Sequence, residues 1–164
     1  MSVDSTRGGT IITYGTFDLF HVGHVRILKN LRALGEKLLV GISSDEFNAL
    51  KGKKSFFSYE ERAEIVQSCV YVDMVFPEHS WEQKVLDMQK YKVDIFGIGA
   101  DWAGKFDELK AYVDVVYIDR TSGVSSTEIK SRLSNVSLGE ICGLEESIRE
   151  TLSTVSALRV ALER

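Results

Sequence analysis

Cysteine and long apolar runs are both scarce in this sequence of 164 residues, and each scarcity excludes a class of protein. The two cysteines, Cys69 and Cys142, lie far apart and have neither metal-ligand spacing nor a disulfide-rich setting, so we expect idle thiols in a reducing compartment. No apolar run approaches the ~20 residues that a bilayer-spanning helix needs. The sequence therefore predicts a cytoplasmic protein that has no membrane partner.

Positive charge is also in short supply. The chain has 20 Lys and Arg residues against 24 Asp and Glu residues, which gives a net charge of −4. This balance argues against a broad basic face, so we expect no nucleic-acid partner. An anionic substrate would have to be met by a local cluster of positive groups.

Short apolar segments bounded by turn residues recur along the chain and predict β-strands. Longer segments with apolar residues at helical spacing lie between them. Near-continuous apolar strands that alternate with helices are typical of a parallel sheet covered on both faces, which binds ligands at the carboxyl ends of its strands. The sequence thus predicts an α/β protein with a doubly wound parallel sheet. The predicted strands are 10–14, 37–42, 71–76, 94–98 and 113–118.

The pattern changes after Leu133. From Leu138 to Leu162, apolar residues recur every three or four positions with charges between them, which predicts one C-terminal amphipathic helix. Because this helix carries no catalytic grouping, we expect it to dock on its own domain or on a second subunit, and a homodimer is favoured. Two regions are predicted: a catalytic domain over 10–133 and a helical extension over 134–164.

Two of the three histidines stand together at a predicted strand-to-helix turn, in the segment GTFDLFHVGH of residues 15–24. A helix start presents backbone N–H groups to an anion, and His21 and His24 add ring N–H donors. Gly15 allows a ligand to approach the backbone, and Gly23 keeps the first helical turn uncrowded. A lone histidine there would be an ordinary cap, but the pair favours a phosphate site. Zinc is disfavoured, because no third ligand lies nearby.

A second segment with anion-binding character is RTSGVSST, residues 120–127. Gly123 supplies a flexible turn, Ser125 or Ser126 can cap the helix that follows, and Arg120 offers a planar fork for phosphate oxygens. Alone, hydroxyls before a helix are more often an ordinary cap. Together with the histidine pair, they favour a second anion site.

These two segments carry a resemblance to a known family. Residues 15–24 resemble the HxGH signature of the nucleotidyltransferase superfamily, and residues 120–127 resemble the RTxGISTT motif of its cytidylyltransferase branch. Further similarity to glycerol-3-phosphate cytidylyltransferases extends over roughly residues 10–133. The resemblance implies a Rossmann-like fold and nucleotidyl transfer without a covalent intermediate. The further similar stretches are Lys51 with Lys53, 59–62, 71–73, 81–84 and 104–107.

The resemblance also implies which residues act. It makes His21, His24, Lys51 and Arg120 catalytic, and it places Asp18 where it would orient a donor or Mg²⁺. No metal ligands are assigned. The implied nucleotide-binding residues are Gly15, Thr16, Phe17, Asp18, Gly23, Asp101, Arg120, Thr121, Ser125, Ser126 and Thr127.

The implied acceptor-binding residues are Lys51, Lys53, Arg62 and Trp81. For the lysines, the simpler interpretation is a solvated loop, and for Arg62 it is an exposed helix arginine. Two positions depart from the pattern of the family: Val70 stands where Arg is usual, and Ala100 stands where a second Asp is common. Loss of a guanidinium contact can cost about 1.5 to 3 kcal/mol, so both departures leave the acceptor open.

The predicted reaction transfers CMP from CTP to a small phosphorylated alcohol, with Mg²⁺ as cofactor. Glycerol 3-phosphate is the favoured acceptor, and the product would be CDP-glycerol, a precursor of cell-surface polymers in the enzymes that the chain resembles. A phosphate monoester with a second pKa near ~6 is already largely dianionic, so no general base is required. Three alternatives stay open: another phosphorylated alcohol or sugar, ATP-dependent adenylyl transfer, and an idle nucleotide-binding or assembly module.

Overall fold

The computed structural model describes residues 9–119 and 121–162. Its five strands pair in parallel in the order β3-β2-β1-β4-β5. This topology confirms the predicted doubly wound α/β fold. The strands are β1 (Thr10–Gly15), β2 (Lys37–Ser43), β3 (Met74–Glu78), β4 (Ile95–Gly99) and β5 (Asp114–Ile118).

The third strand begins later than the sequence predicts, because the backbone turns before it pairs. The Asp73 carboxylate accepts the Leu38 backbone N–H at 2.7 Å, and the Asp73 N–H donates to the Leu38 carbonyl at 3.0 Å. The turn is thus tied to the neighbouring strand, and the β3 ladder starts at Met74.

Helices alternate with the strands, and two of the shorter ones begin at serine caps. Ser44 Oγ accepts the Phe47 N–H, while Ser58 and Glu61 form a reciprocal capping box. The helices are α1 (Val22–Arg32), α2 (Asp45–Leu50), α3 (Tyr59–Gln67), α4 (Gln83–Lys90) and α5 (Ser126–Leu162), with 3₁₀ turns at Ala100–Trp102 and Asp107–Ala111.

The core forms one layer on each face of the sheet, because successive strand residues point to opposite sides. In β1, Ile11 packs in a cluster with Leu28 and Leu31 of α1, whereas Ile12 packs in a second cluster with Met88 of α4. Both faces of the sheet are therefore covered, and the strand ends are left as the place for a site.

The strand order reverses between β1 and β4, and ligands of open parallel sheets bind outside the carboxyl ends at such a point. The histidine pair follows β1 at the start of α1, the lysine segment 51–54 follows α2, and Trp81 follows β3. Asp101 follows β4, and residues 121–126 follow β5. The fold thus gathers the predicted motifs at one edge of the sheet.

The chain divides into two compact units between Ser126 and Thr127. The predicted amphipathic helix is present, but it is one continuous helix of 37 residues that already begins at Ser126. In this helix Ile148 and Leu152 are exposed. The predicted boundary at 133/134 therefore lies within a helix, and it stays a prediction.

In the part of the chain described here, no helix is both long and apolar enough to cross a membrane.

Candidate active site

His21 and His24 lie stacked at the start of α1, with ring centroids 3.9 Å apart. His21 Nδ1 accepts the Gly23 N–H at 3.0 Å, and His24 Nδ1 accepts the His21 N–H at 3.3 Å. The His24 N–H in turn donates to the His21 carbonyl at 2.9 Å. We expected this helix start to offer its backbone N–H groups to an anion. The N–H groups of His21, Gly23 and His24 instead donate within the turn itself.

The same bonds fix the form of the two imidazoles. An Nδ1 that accepts a hydrogen bond carries no proton, so in the neutral ring Nε2 is the donor. Burial, and then the neighbouring His21, lower the pKa of His24 to about 4, against an opposing effect of Asp18. At neutral pH His24 is therefore an uncharged Nε2–H donor, suited to hydrogen-bonding phosphate oxygens.

Two glycines make room for this arrangement. A Cβ at position 23 would lie 2.8 Å from Cε1 of His21, and one at position 15 would lie 2.8 Å from the ring of Phe17. Phe17 has a φ of 52° and Leu19 a φ of 48°, so the loop between strand and helix holds two residues in the sparsely populated left-handed region. The buried Phe17 ring packs against His24 at 5.3 Å.

Asp18 fastens this loop to its neighbours. Its two carboxylate oxygens accept the backbone N–H groups of Phe56 and Phe57 at 2.8 and 3.1 Å. Its carbonyl accepts the Ser126 hydroxyl at 2.6 Å. These bonds give Asp18 a positioning role, because they join the histidine turn to the segment after the lysines and to the start of α5.

Lysines and aromatic rings form the other side of the site. Lys51 Nζ lies 4.3 Å from the Phe47 ring centroid and 5.5 Å from that of Trp81. Lys53 is exposed and lies 6.0 Å from the Trp102 ring. Burial lowers the pKa of Lys51 to about 8, with Glu78 opposing the shift and Lys53 and other cations adding to it. Lys51 is thus a half-buried cation that titrates near neutral pH.

The sequence profile of the cytidylyltransferase-like family matches residues 12–132, which span the histidine turn, the lysines and the second motif. The chain belongs to this family.

Two glycerol-3-phosphate cytidylyltransferases match this chain over nearly their whole length. The glycerol-3-phosphate cytidylyltransferase of Bacillus spizizenii is 52% identical over 126 residues, which are 77% of this chain and 98% of the relative. That of Staphylococcus aureus is 49% identical over 75% of this chain and 93% of the relative. A crystal structure of a lipopolysaccharide core biosynthesis protein from Thermoplasma volcanium shares the fold, with a TM-score of 0.59 and 25% identity over 69% of this chain and 98% of that one.

These matches confirm the family, the fold and the prediction that the chain is a CTP-dependent nucleotidyltransferase. They disfavour the idle module. The chain is longer than the relatives, and its residues beyond 132 lie outside the family profile.

Arg62 is placed differently from the sequence-based expectation. Its side chain is fully buried, so the alternative of an exposed helix arginine is wrong. Its guanidinium donates to the carbonyls of Phe57, Thr16 and Ser43 and to the Asp45 carboxylate, at 2.7 to 3.1 Å. Four donated bonds within the chain argue against direct contact with an acceptor and favour a positioning role.

Sequence reasoning missed a buried lysine in the WEQK stretch. Lys84 pairs with the Glu78 carboxylate, and its ammonium lies 4.7 Å from the Trp81 ring and 4.4 Å from the Tyr14 ring. Burial lowers the pKa of Lys84, and Glu78 opposes this shift. The available signal was the position of Lys84 in the sequence, three residues after Trp81 and six residues after Glu78, which ends β3.

The second motif is described in part. Arg120 lies outside the described residues. The Thr121 side chain lies near the start of α1, since a Cβ on Gly23 would be 3.9 Å from the Thr121 Cβ. Ser125 is partly buried and Ser126 bonds to Asp18, whereas Thr127 belongs to the second compact unit. These placements bring residues 121–126 to the histidine turn.

The remaining sequence-based expectations concern three residues that lie in turns. Asp101 is exposed in the 3₁₀ turn after β4, directly after Ala100. Val70 is 88% exposed in the turn after α3, so the missing arginine leaves no unfilled space in the core.

No group of three His, Cys, Asp or Glu side chains within 9–119 and 121–162 is arranged as a set of metal ligands. Both Asp18 oxygens accept backbone bonds, so the described residues give no support to Asp18 as a metal ligand.

Proposed function

We propose that this chain transfers CMP from CTP to glycerol 3-phosphate and releases CDP-glycerol and pyrophosphate. The observation that carries the chemistry is the stacked histidine pair, whose Nδ1 atoms accept backbone bonds and so leave Nε2 as the donor of each neutral ring. The acceptor rests on the two relatives named glycerol-3-phosphate cytidylyltransferases, which the chain matches at about half identity.

In the proposed reaction an oxygen of the acceptor phosphate attacks the α-phosphorus of CTP. The bond from the α-phosphorus to the bridging oxygen breaks, and pyrophosphate leaves with the electron pair. No proton has to be removed from the nucleophile, since the monoester is largely dianionic at neutral pH. Catalysis then consists of aligning two anions and stabilising charge on the phosphoryl oxygens, which is the role proposed for His21 and His24.

The acceptor phosphate is proposed to meet Lys51 and Lys53, with Trp81 beside them. Lys51 supports this assignment because its ammonium is half-buried between aromatic faces, where a phosphate would meet a poorly hydrated charge. The triphosphate is proposed to contact Gly15 to Asp18, Gly23 and the segment from Arg120 to Ser126, and the nucleoside is proposed to contact Asp101, as the family resemblance implies.

Mg²⁺ is proposed to enter on the nucleotide as the MgCTP substrate, because this ion is commonly held by substrate phosphates with few protein ligands. It would supply charge neutralisation at the phosphate oxygens. We place the reaction in the cytoplasm, in keeping with the two free cysteines, and we propose that α5 supports a homodimer.

The proposal is tested by measuring pyrophosphate release from CTP or ATP with a panel of acceptors: glycerol 3-phosphate, phosphoethanolamine, a sugar phosphate and unphosphorylated glycerol. We expect turnover with CTP and glycerol 3-phosphate, a CDP-glycerol product by mass spectrometry, and none with glycerol. Preference for ATP, or for another acceptor by kcat/KM, would replace the proposed substrate pair. Turnover should be abolished when Mg²⁺ is left out and a chelator is added.

A further inference from the structure

We propose that Glu78 is a positioning residue that holds Lys51 and Lys84 together on the acceptor side of the site. Lys84 pairs directly with one Glu78 oxygen. Lys51 is held through Ser43, whose hydroxyl accepts from Lys51 Nζ at 2.8 Å and donates to the other Glu78 oxygen at 2.7 Å. The inference rests on the proposed function, since it assumes that Lys51 meets the acceptor phosphate.

The sheet places the members of this chain of bonds. Ser43 ends β2 and Glu78 ends β3, and the two residues are register partners in the parallel ladder. The Ser44 N–H donates to the Glu78 carbonyl at 2.9 Å, which ties the backbones at the same point. Paired residues of neighbouring strands point to the same face, so the serine hydroxyl and the carboxylate meet there.

Burial strengthens the interactions of the Glu78 carboxylate with its partners. Ser43 is fully buried, Glu78 is 2% exposed and Lys84 is 3% exposed. In such a setting a charge-assisted hydrogen bond is strong, and an unpaired charge is costly. Within the group of Glu78, Lys51 and Lys84, one carboxylate is shared by two ammonium groups, so it holds both lysines without neutralising both of their charges.

The charge of Glu78 favours the protonated form of both lysines. For each of them, burial lowers the pKa and the charge of Glu78 raises it. Removing that charge should therefore lower both pKa values further. The other charged groups that act on Lys51 are Lys53, Lys84 and Arg62, and those that act on Lys84 are Asp87 and Glu82.

The test compares wild type with Glu78→Gln, which keeps the shape of the side chain and removes its charge. We expect the alkaline limb of kcat/KM for the acceptor to move to lower pH by about one unit. The variant should then be about five-fold or more below wild type at pH 8.5 and within about two-fold of it at pH 6.5. The KM for CTP should change little. The ionisation of the acceptor itself cancels, because both enzymes use the same acceptor.

Two further variants separate position from charge. Ser43→Ala cuts only the link to Lys51 and leaves the Glu78 charge, so it should raise the acceptor KM at both pH values. Glu78→Asp restores the charge and should return the alkaline limb towards wild type. Asp87→Asn is the matched control: Asp87 is also buried near Lys84, but its carboxylate accepts from the Tyr14 hydroxyl at 2.9 Å and not from Ser43. We expect Asp87→Asn to leave the alkaline limb of kcat/KM for the acceptor unchanged.

A direct titration gives a readout besides activity. In ¹³C-lysine-labelled protein, with signals assigned by Lys51→Met and Lys84→Met, the pKa of Lys51 should be lower in Glu78→Gln than in wild type. The inference would be overturned if the pKa of Lys51 were equal in wild type and Glu78→Gln. It would also be overturned if Asp87→Asn shifted that pKa by the same amount. If wild type turns over CTP but rejects glycerol 3-phosphate, the proposed function fails, and the same variants are compared with the acceptor that is used. If Glu78→Gln does not fold, the test rests on Ser43→Ala. An unchanged acceptor KM in that variant would overturn the inference.

Discussion

A neutral histidine such as His24 would bind phosphate oxygens as a hydrogen-bond donor and would add no positive charge. In this chain each Nδ1 accepts a backbone bond, and the low pKa of His24 keeps its ring uncharged over the whole range in which the enzyme would work. The positive charge at the site must then come from lysine and arginine. Histidines and cations therefore have separate tasks, and substitutions at each should have different kinetic effects.

The first prediction concerns the donors. His21→Ala and His24→Ala should keep the fold and lower kcat by at least ~10²-fold, the scale for loss of one preorganised donor at developing charge. His79→Ala is the matched control, because its side chain is exposed, and it should stay near the wild-type rate. Steady-state kinetics with thermal unfolding decide the matter. Near-normal kcat in both site variants would remove the histidines from the mechanism.

The second prediction concerns pH. Because the pKa of Lys51 lies at about 8, kcat/KM for the acceptor should fall as the pH rises through that value, where the ammonium loses its proton. Lys51→Met should be slow at every pH and should lack this alkaline limb. Lys54→Met, in the same loop, should retain it. A limb that persists in Lys51→Met would have to be assigned to another group.

The third prediction concerns Arg120, on the evidence of its motif alone. Arg120→Ala should raise the KM for CTP more than that for the acceptor and should also lower kcat, since a planar guanidinium suits triphosphate oxygens. Arg120→Lys should recover only part of the loss, because lysine cannot bind in the bidentate manner. Titrations of each substrate at fixed concentrations of the other would contradict the assignment if only the acceptor constant moved.

Sequence reasoning at this scale succeeded where a side chain is set by its neighbours along the chain. The histidine turn is local, so its spacing predicted the helix start with both histidines beside it. Arg62 and Glu78 gain their partners from segments far away in sequence, such as Thr16 for Arg62 and Ser43 for Glu78. Composition and spacing could not show that one is fully buried or that the other joins two lysines.

The start of α1 shows how an element can be shaped for a ligand at the cost of its own stability. Glycine within a helix is about 0.8 to 1 kcal/mol less favourable than alanine, yet Gly23 stands in the first turn because a Cβ there would meet the His21 ring at 2.8 Å. The strands, in contrast, followed their apolar pattern closely. Only β3 departed from it, where side-chain bonds of Asp73 hold the turn.

The fourth prediction follows from this glycine. Gly23→Ala should lower kcat by at least ~10-fold through displacement of the His21 ring, while the free energy of unfolding stays the same or rises by up to about 1 kcal/mol. The matched control is Gly139→Ala in α5, where a Cβ would have open space. This control should stabilise the helix and leave the rate unchanged. Loss of stability without loss of rate in Gly23→Ala would show that the glycine serves packing alone.

At the scale of the whole molecule, the family profile and the first compact unit both end within the first two turns of α5. The profile stops at residue 132, and the first compact unit stops at Ser126, within the first turn of α5. A helix of 37 residues is about 55 Å long. Its amphipathic pattern was readable from the sequence. Its continuity also had a signal, since neither proline nor glycine stands between Ser126 and Leu138, but the predicted boundary followed the end of the family resemblance.

The fifth prediction is that this extension is dispensable for the chemistry. Ending the chain after Leu133 keeps the segment that the relatives share and removes the exposed Ile148 and Leu152, which a partner would cover. We expect the shortened protein to retain nucleotidyl transfer within a few-fold and to change its mass in solution or its thermal stability. Double substitution of Ile148 and Leu152 by Ser in the full chain is the milder companion, and it should weaken assembly without altering the active site. Light scattering and initial rates on both proteins provide the measurement. A folded, correctly assembled fragment without activity would mean that α5 beyond Leu133 contributes to the site, because loss of assembly could not then explain the lost rate.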